Sequence, residues 1–568
     1  MMNMMNIVCC PPFRKHSLPH FPERREKEHI VSQLSCWKRI SFVILLGAAT
    51  VVASSAQTFT TLLNFNGTNG SSPAYVSLVQ GTDGNFYGTT SGYGFGAGTI
   101  FKITPAGTLT TLHTFDVTDG DSPYAGLALA TSGNFYGTTI SGGVNSVGTI
   151  FKITPSGTLT TLLSFDNADG ANPEAGLVLA TNGNLYGTTF NGGVGLGTIF
   201  KITPGGTLTT LHTFDGPEGR TPAAGLLQAT NGNLYGTTVY GGADSHGTIF
   251  EITPAGTLTT LHSFDGTDGD SPYAGLALAT SGNFYGTTIS GGVNSAGTIF
   301  KITPAGTLTT LHSFDGTDGN SPYAGLVQAT DGNFYGTTYG GGSGGCSGGC
   351  GTVFKITAAG TLTTLHSFGG STDGALPYGG LLQGTDGSLY GTTDAEGAGG
   401  SGTVFRLSVG LSPFVKTLPT FGKVAAAVKI LGTNLTGATS VSFNGTAAAF
   451  TVVSPSLIST TLPNAATTGQ VQVTTPGGTL LSNLAFRVTP VILSFSPPNG
   501  PVSTPVVITG QSLTGASRVT FGGIKATSFN VDSYTQITAT VPAGAKTGKI
   551  GVTTPGGTAT SAGTFTVN

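Results

Sequence analysis

Apolar and polar positions along most of this chain switch too quickly for a helix. The stretch Ser271–Phe314 shows the pattern: SPYAGLALATSGNFYGTTISGGVNSAGTIFKITPAGTLTTLHSF. Its four short runs, Ala274–Thr280, Asn283–Thr288, Thr298–Thr303 and Thr307–Phe314, are rich in Thr, Ile, Phe, Tyr and Leu. Gly, Pro, Asn and Asp bound them, as turns bound strands. No run has helical length or a 3.6-residue period. Ser281-Gly282 joins the first two runs, and other copies carry Asp331-Gly332 or Asn182-Gly183 there. Such pairs tolerate positive φ and suit a two-residue hairpin. Pro304-Ala305-Gly306 joins the last two, with Pro presetting φ and Gly taking the difficult dihedral. The unit therefore reads as a four-stranded antiparallel meander. Phe300 and Ile302 point to one face and Ile299 to the other, so both faces need cover.

The unit recurs. YGTT begins at Tyr87, Tyr136, Tyr186, Tyr235, Tyr285, Tyr335 and Tyr390, at intervals of 49, 50, 49, 50, 50 and 55 residues. A fixed period of this length marks a repeat architecture. Four-stranded sheets packed radially about an axis cover both faces of every sheet. The expected fold is thus all-β, with a seven-bladed β-propeller over residues 57–408; a β-solenoid is the alternative. The ends of the array favour a closed ring. It opens with a lone fourth strand, Thr58–Phe65, and finishes with a lone third strand, Gly402–Leu407. Pairing the two leaves no open edge.

Only 8% of the residues are charged and 92 of 568 are Gly, in keeping with short strands and tight turns. Residues 57–408 hold 7 Lys+Arg against 21 Asp+Glu, whereas residues 409–568 hold 8 against 1. An acidic ring argues against nucleic acid or anionic lipid as a partner. Residues 1–56 look like a leader: Lys38-Arg39, the apolar run ISFVILLGAATVVA, then Ser54-Ser55-Ala56. This is the layout of a signal peptide cut near Ala56–Gln57. Retention as an N-terminal anchor is the other reading, and the only one that brings a membrane into play. Cys9, Cys10 and Cys36 lie in that segment, leaving Cys346 and Cys350 in SGGCSGGCG. A disulfide across this small loop suits an oxidising compartment. Two thiols without a nearby His make at most half a zinc site.

Residues 411–568 differ in composition and contain a duplication. LTGATSVSFNG (435–445) matches LTGASRVTFGG (513–523), and TTPGGT recurs at 474–479 and 553–558. Two copies, 411–489 and 490–568, resemble IPT/TIG domains, which implies immunoglobulin-like β-sandwiches acting as a stalk. SFSPPNGPVSTPVVITG opens the second copy; the first departs from the pattern in LSPFVKTLPTFGKVAAAVKILG. The repeats, with GTIFKITPAGTLTTLHSF and GLxxATDGNFYGTT, resemble the GloVer-type tandem repeat of bacterial "choice-of-anchor" secreted proteins. That resemblance implies an exported bacterial protein, secreted or at the cell surface, and supplies no catalytic residues.

Candidate chemistry lies in the long loops, since function gathers on loops. Those at 265–272 and 290–297 share one face of the ring. Asp116, Asp119, Asp121, Asp265, Asp268, Asp270, Asp315, Asp318 and Asn294 are the candidate ligand-binding residues there. Asp265, Asp268 and Asp270 also have the short spacing of a calcium loop, though without a distal Glu; turn chemistry accounts for the same residues, and no cofactor is expected. His113, His212, His262, His312 and His366 share one strand position, held by Leu63 and Leu163 in the other copies, which reads as packing. Glu174, Glu218, Arg220, Asp244 and Glu251 are charges peculiar to single repeats and form no familiar catalytic set. The expected function is a binding or adhesion protein for an extracellular glycan or surface protein. A polysaccharide-acting enzyme and a purely structural surface protein are the alternatives.

Overall fold

The computed structural model of the chain describes residues 57–75, 77–92 and 96–568; the leader expected at 1–56 lies outside them. Among the described residues every regular element is a strand, and no helix is long and apolar enough to cross a membrane. Residues 57–408 form seven four-stranded antiparallel sheets in a propeller-like ring. In the repeat at 271–314 the strands are Ala277–Leu278, Phe284–Thr288, Thr298–Ile302 and Leu308–Ser313.

The first strand is much shorter than the seven residues expected. Its N-terminal half bonds sideways instead of within its own ladder. Thr237 of the preceding sheet donates its hydroxyl to Ala274 O at 3.0 Å. The same Thr-to-carbonyl bond recurs around the ring, from Thr89 to Ala125 O through to Thr392 and Pro73 O. The last of these joins the end of the array to its beginning. Thr58–Asn64 pairs antiparallel with Thr403–Ser408, and Thr385 N donates to Gln80 Oε1 at 3.1 Å. The ring is therefore closed on both of its faces.

The apolar cores lie between neighbouring sheets. Tyr235, Ile249 and Phe264 of one sheet pack with Phe284, Phe300 and Ile302 of the next. Burial of both faces in this way accounts for strands that are apolar on successive residues.

Residues beyond 408 form two units with the same strand order. In the first, 416–418, 427–431, 457–461 and 450–454 make one sheet, and 446–447, 440–443, 471–475 and 478–481 the other. In the second, 491–496, 505–511, 536–540 and 529–533 repeat the first of these sheets. Each unit has its own core, around Phe443 and Phe486 or around Phe521 and Phe565. The divergent opening of the first unit still forms its edge strand, Lys416–Leu418.

This first unit docks on the tight-turn face of the ring. Phe414 N donates to Thr385 O at 3.0 Å, Lys429 Nζ to Thr131 O at 2.8 Å and Ser456 Oγ to Thr82 O at 3.3 Å. Lys416 Nζ donates to Gln383 O at 2.7 Å, and burial lowers its ammonium pKa to about 8. The contacts leave the long-loop face clear.

Candidate functional site

On the long-loop face, each loop entering a sheet is bridged to the loop between that sheet's second and third strands. Asp121 pairs with Ser141, Arg220 with Tyr240 and Asp270 with Ser290. The expected neighbourhood of the 265–272 and 290–297 loops is therefore present. The carboxylates within it are turned onto their own loops. Asp116 accepts from Thr118 N, Thr118 Oγ1 and Asp119 N; Asp265 and Asp315 do the same in their repeats. Bonds from the Thr267 side chain and from the Asp268 and Thr267 amides hold Asp265 at a pKa of about 2. Asp121 and Asp270 take hydroxyls from Ser122 and Ser141, and from Ser271 and Ser290. Asn294 Nδ2 donates to Phe314 O at 3.1 Å. Asp265, Asp268 and Asp270 thus serve three different sets of partners and do not converge. Cys346 and Cys350 are joined by a disulfide.

The histidines do more than pack. His113, His262 and His312 each place Nε2 2.7 Å from the carboxylate six residues on, Asp119, Asp268 and Asp318. His212 meets Glu218 at 2.5 Å and His366 meets Asp373 at 3.0 Å. Where Leu163 replaces the imidazole, Asp169 is left with a pKa raised by burial. Where Leu63 does so, Asn69 stands in the acid's place and donates to Asn64 O. The position is a strand-to-loop clasp, and Leu is tolerated where the clasp is given up.

Tyrosine and glutamate side chains gather at the centre of the ring. Each sheet enters through a Pro that packs on the Gly opening its neighbour's third strand; a Cβ on Gly297 would lie 2.8 Å from Pro322 Cδ. The residue after that Pro is thereby aimed at the axis. It is Tyr124, Glu174, Ala223, Tyr273, Tyr323 and Tyr378 in six repeats, while Tyr75 is shifted by one in the first. Tyr75 has φ +55°, which carries its ring inward. Its centroid lies 4.5 Å from that of Tyr378, 5.4 Å from Tyr124 and 5.9 Å from Tyr273. Below the rings, glycines pack on the backbone of the preceding sheet: a Cβ on Gly275 would stand 3.0 Å from Gly225 O, and one on Gly325 2.8 Å from Gly275 O. The result is a cavity of about 180 Å³ lined by the five tyrosines, Glu174 and small residues.

Among the described residues Glu174 is the only acid lining this cavity. Tyr273 Oη donates to its Oε2 at 2.6 Å, reaching across the gap left by Ala223. Burial raises the Glu174 carboxyl above the usual range, and the Tyr273 bond offsets part of the rise. Burial, followed by the Glu174 charge, raises the Tyr273 phenol. An acid with a raised folded pKa contributes stability at low pH that is lost as pH rises through that pKa. The melting temperature of Glu174→Gln relative to wild type is therefore expected to increase as pH rises above the ordinary Glu range. Asp394, also raised by burial, titrates in both proteins and cancels in the difference. A difference independent of pH between 4 and 8 would contradict this.

Sequence reasoning placed Glu174 among the single-repeat charges but passed over the tyrosines. The available signal was the residue after the shared Pro, a position that toggles between Tyr, Glu and Ala inside otherwise similar copies.

Fold and site together define an all-β protein with a closed ring of repeated sheets around a tyrosine-lined axial cavity. Its repeats match the Gloeobacter/Verrucomicrobia repeat over residues 46–246 and 225–451, and the chain belongs to that family. Residues 490–567 match the IPT/TIG domain. No curated protein matches the chain. Among solved structures it is similar to a putative gluconolactonase (15% identity, 63% of this chain and 94% of that one, TM-score 0.34). It is also similar to a fungal alcohol oxidase with copper (15%, 90% and 99%, 0.42). A third is the extracellular domain of a putative hybrid two-component system from Bacteroides thetaiotaomicron (12%, 87% and 65%, 0.42). These likenesses are too distant to bear on activity.

Proposed function

We propose that the protein is an exported surface binding protein. Its head is a seven-bladed β-propeller, residues 57–408, and its stalk is a pair of immunoglobulin-like units, 411–489 and 490–568. The recognition site is the axial cavity, and its ligand is the terminal residue of a glycan. The observation that carries this reading is the convergence of five tyrosines on a small cavity at the centre of the face opposite the docked stalk. Tyrosine rings stack on the C–H face of a sugar while their hydroxyls exchange hydrogen bonds with its own. At about 180 Å³ the cavity is below the roughly 300–1,000 Å³ of a drug-sized site, so it takes one residue of a chain. Paired carboxylates would be needed for general acid and base hydrolysis of a glycoside. Glu174 stands alone in the cavity, which favours binding over turnover.

This reading puts the site on the axis and not on the long loops, and the two arrangements respond differently to mutation. Binding on a glycan array is expected to fall about tenfold or more with Tyr323→Ala or Tyr378→Ala, as for an aromatic anchor in a desolvated site. Asp265→Asn should leave it unchanged. Partial losses spread over the loop variants, with none from the tyrosines, would return the site to the loops. Release of reducing ends by wild type that ceases in Glu174→Gln would make the protein an enzyme.

A further inference from the structure

The ring of residues that follow the entry prolines is broken at one place. Five repeats supply Tyr, while the adjacent third and fourth supply Glu174 and Ala223. The methyl of Ala223 leaves an opening beside the carboxylate, and Tyr273 bridges it only at one edge through its bond to Glu174 Oε2. Among the described residues Glu174 has no other hydrogen bond and no cationic partner: every ion pair there joins a histidine to an acid elsewhere. Arg220, three residues before Ala223, instead turns its guanidinium over the Tyr240 ring at 5.7 Å. A half-buried carboxylate without a cation is unfavourable in the empty protein. Five phenol rings line the same space, packed on one another around Tyr75, and an aromatic ring attracts a cation placed over its face.

We infer that the axial cavity selects a positively charged sugar, an amino sugar with a free ammonium, whose charge enters the opening at Ala223 and pairs with Glu174 among the tyrosine rings. The inference rests on the glycan-binding reading and adds the charge of the ligand. Binding forms no covalent bond. The ammonium donates to the unused Glu174 Oε1, Tyr273 keeps Oε2, and the remaining ring atoms lie against Tyr75 and its neighbours. An N-acetylated sugar lacks the charge and adds bulk where Tyr273 limits the opening.

Titration calorimetry with glucosamine oligomers and with N-acetylglucosamine oligomers of equal length tests this on the full exported chain at neutral pH. The expected result is tighter binding of the glucosamine series by about tenfold or more, lost in Glu174→Gln, which keeps the shape and a partner for Tyr273. Ala223→Tyr, which fills the opening beside Glu174 and leaves the charge in place, should weaken the glucosamine series as well. Equal affinity for the two series, unchanged by Glu174→Gln, overturns the charge selection and leaves the glycan reading standing. Binding of neither series, or of any neutral glycan on the array, overturns both. Glu174→Gln and Ala223→Tyr proteins that melt no earlier than wild type exclude unfolding as the cause of lost binding; if either melts early, Tyr273→Phe, which frees Oε2 without touching the scaffold, should raise affinity for the glucosamine series or the pairing is wrong.

Discussion

Removal of residues 57–66 is expected to abolish the monomeric ring. The segment contains Thr58–Asn64, whose ladder to Thr403–Ser408 completes the last sheet. Phe65 is fully buried and meets Phe101 of the following sheet edge-on at 5.4 Å. Phe59 stacks on His366 at 3.9 Å and on Phe405 at 5.3 Å. Loss of the buried Phe65 alone costs about 3–5 kcal/mol, a large share of the roughly 5–15 kcal/mol by which a domain is stable. The deletion also uncovers the Thr403–Ser408 strand as a free edge in a chain rich in Thr and Val, a template for intermolecular pairing. Size-exclusion chromatography should show aggregate, and the thermal transition should broaden or vanish. A soluble monomer with an unchanged melting temperature would show that the closing strand does not hold the ring.

Gly286→Ala should destabilise the protein although it adds a single methyl to the repeat motif. The glycine of YGTT lies in extended backbone and needs no special dihedral. What it needs is space: an added Cβ would lie 2.4 Å from Phe300 Cζ, and the Phe300 ring is locked between sheets. Overpacking of a core of this kind costs about 1–3 kcal/mol. The same contact recurs at Gly137, Gly187, Gly236, Gly336 and Gly391, with distances of 2.5 to 2.6 Å, so the effect is a property of the motif. Gly205→Ala is the control. That turn glycine is exposed, its Cβ would meet nothing nearer than Thr203 Oγ1 at 3.8 Å, and other copies carry Ala there. Chemical denaturation should leave Gly205→Ala unchanged or slightly more stable and lower the midpoint of Gly286→Ala. Equal midpoints would mean that Phe300 moves aside without cost.

Much of the architecture was legible because its determinants are local. Turn pairs such as Asp331-Gly332, the alternation of short apolar runs with Gly and Pro, and the period of the YGTT marker each act within one repeat. The unpaired Thr58–Phe65 and Gly402–Leu407 required only the rule that edges be covered. The lengths of the first strands were misjudged because AGLALAT looks like seven residues of strand. Two of them, Ala277–Leu278, keep to their own ladder. The upstream carbonyl at Ala274 is taken by Thr237 of another sheet, and no pattern within the repeat announces that.

The site was legible only in part, for the same reason. Asp265, Asp268 and Asp270 look like available ligands in sequence, since residue type shows a carboxylate's presence but not its partners. In the folded protein those oxygens are held by Thr267, His262 and Ser290. The tyrosines after the entry prolines look like one more repeated aromatic until the ring closes and brings them together. Tyr273 and Glu174 are 99 residues apart in the chain and 2.6 Å apart in space. Sequence by itself determined the strand period, the number of repeats and the means of closure, because turn chemistry and edge pairing are properties of neighbouring residues. Only the tertiary structure decided which side chains remain free to bind, because that depends on which groups a closed ring places on its axis and which it consumes in holding itself shut.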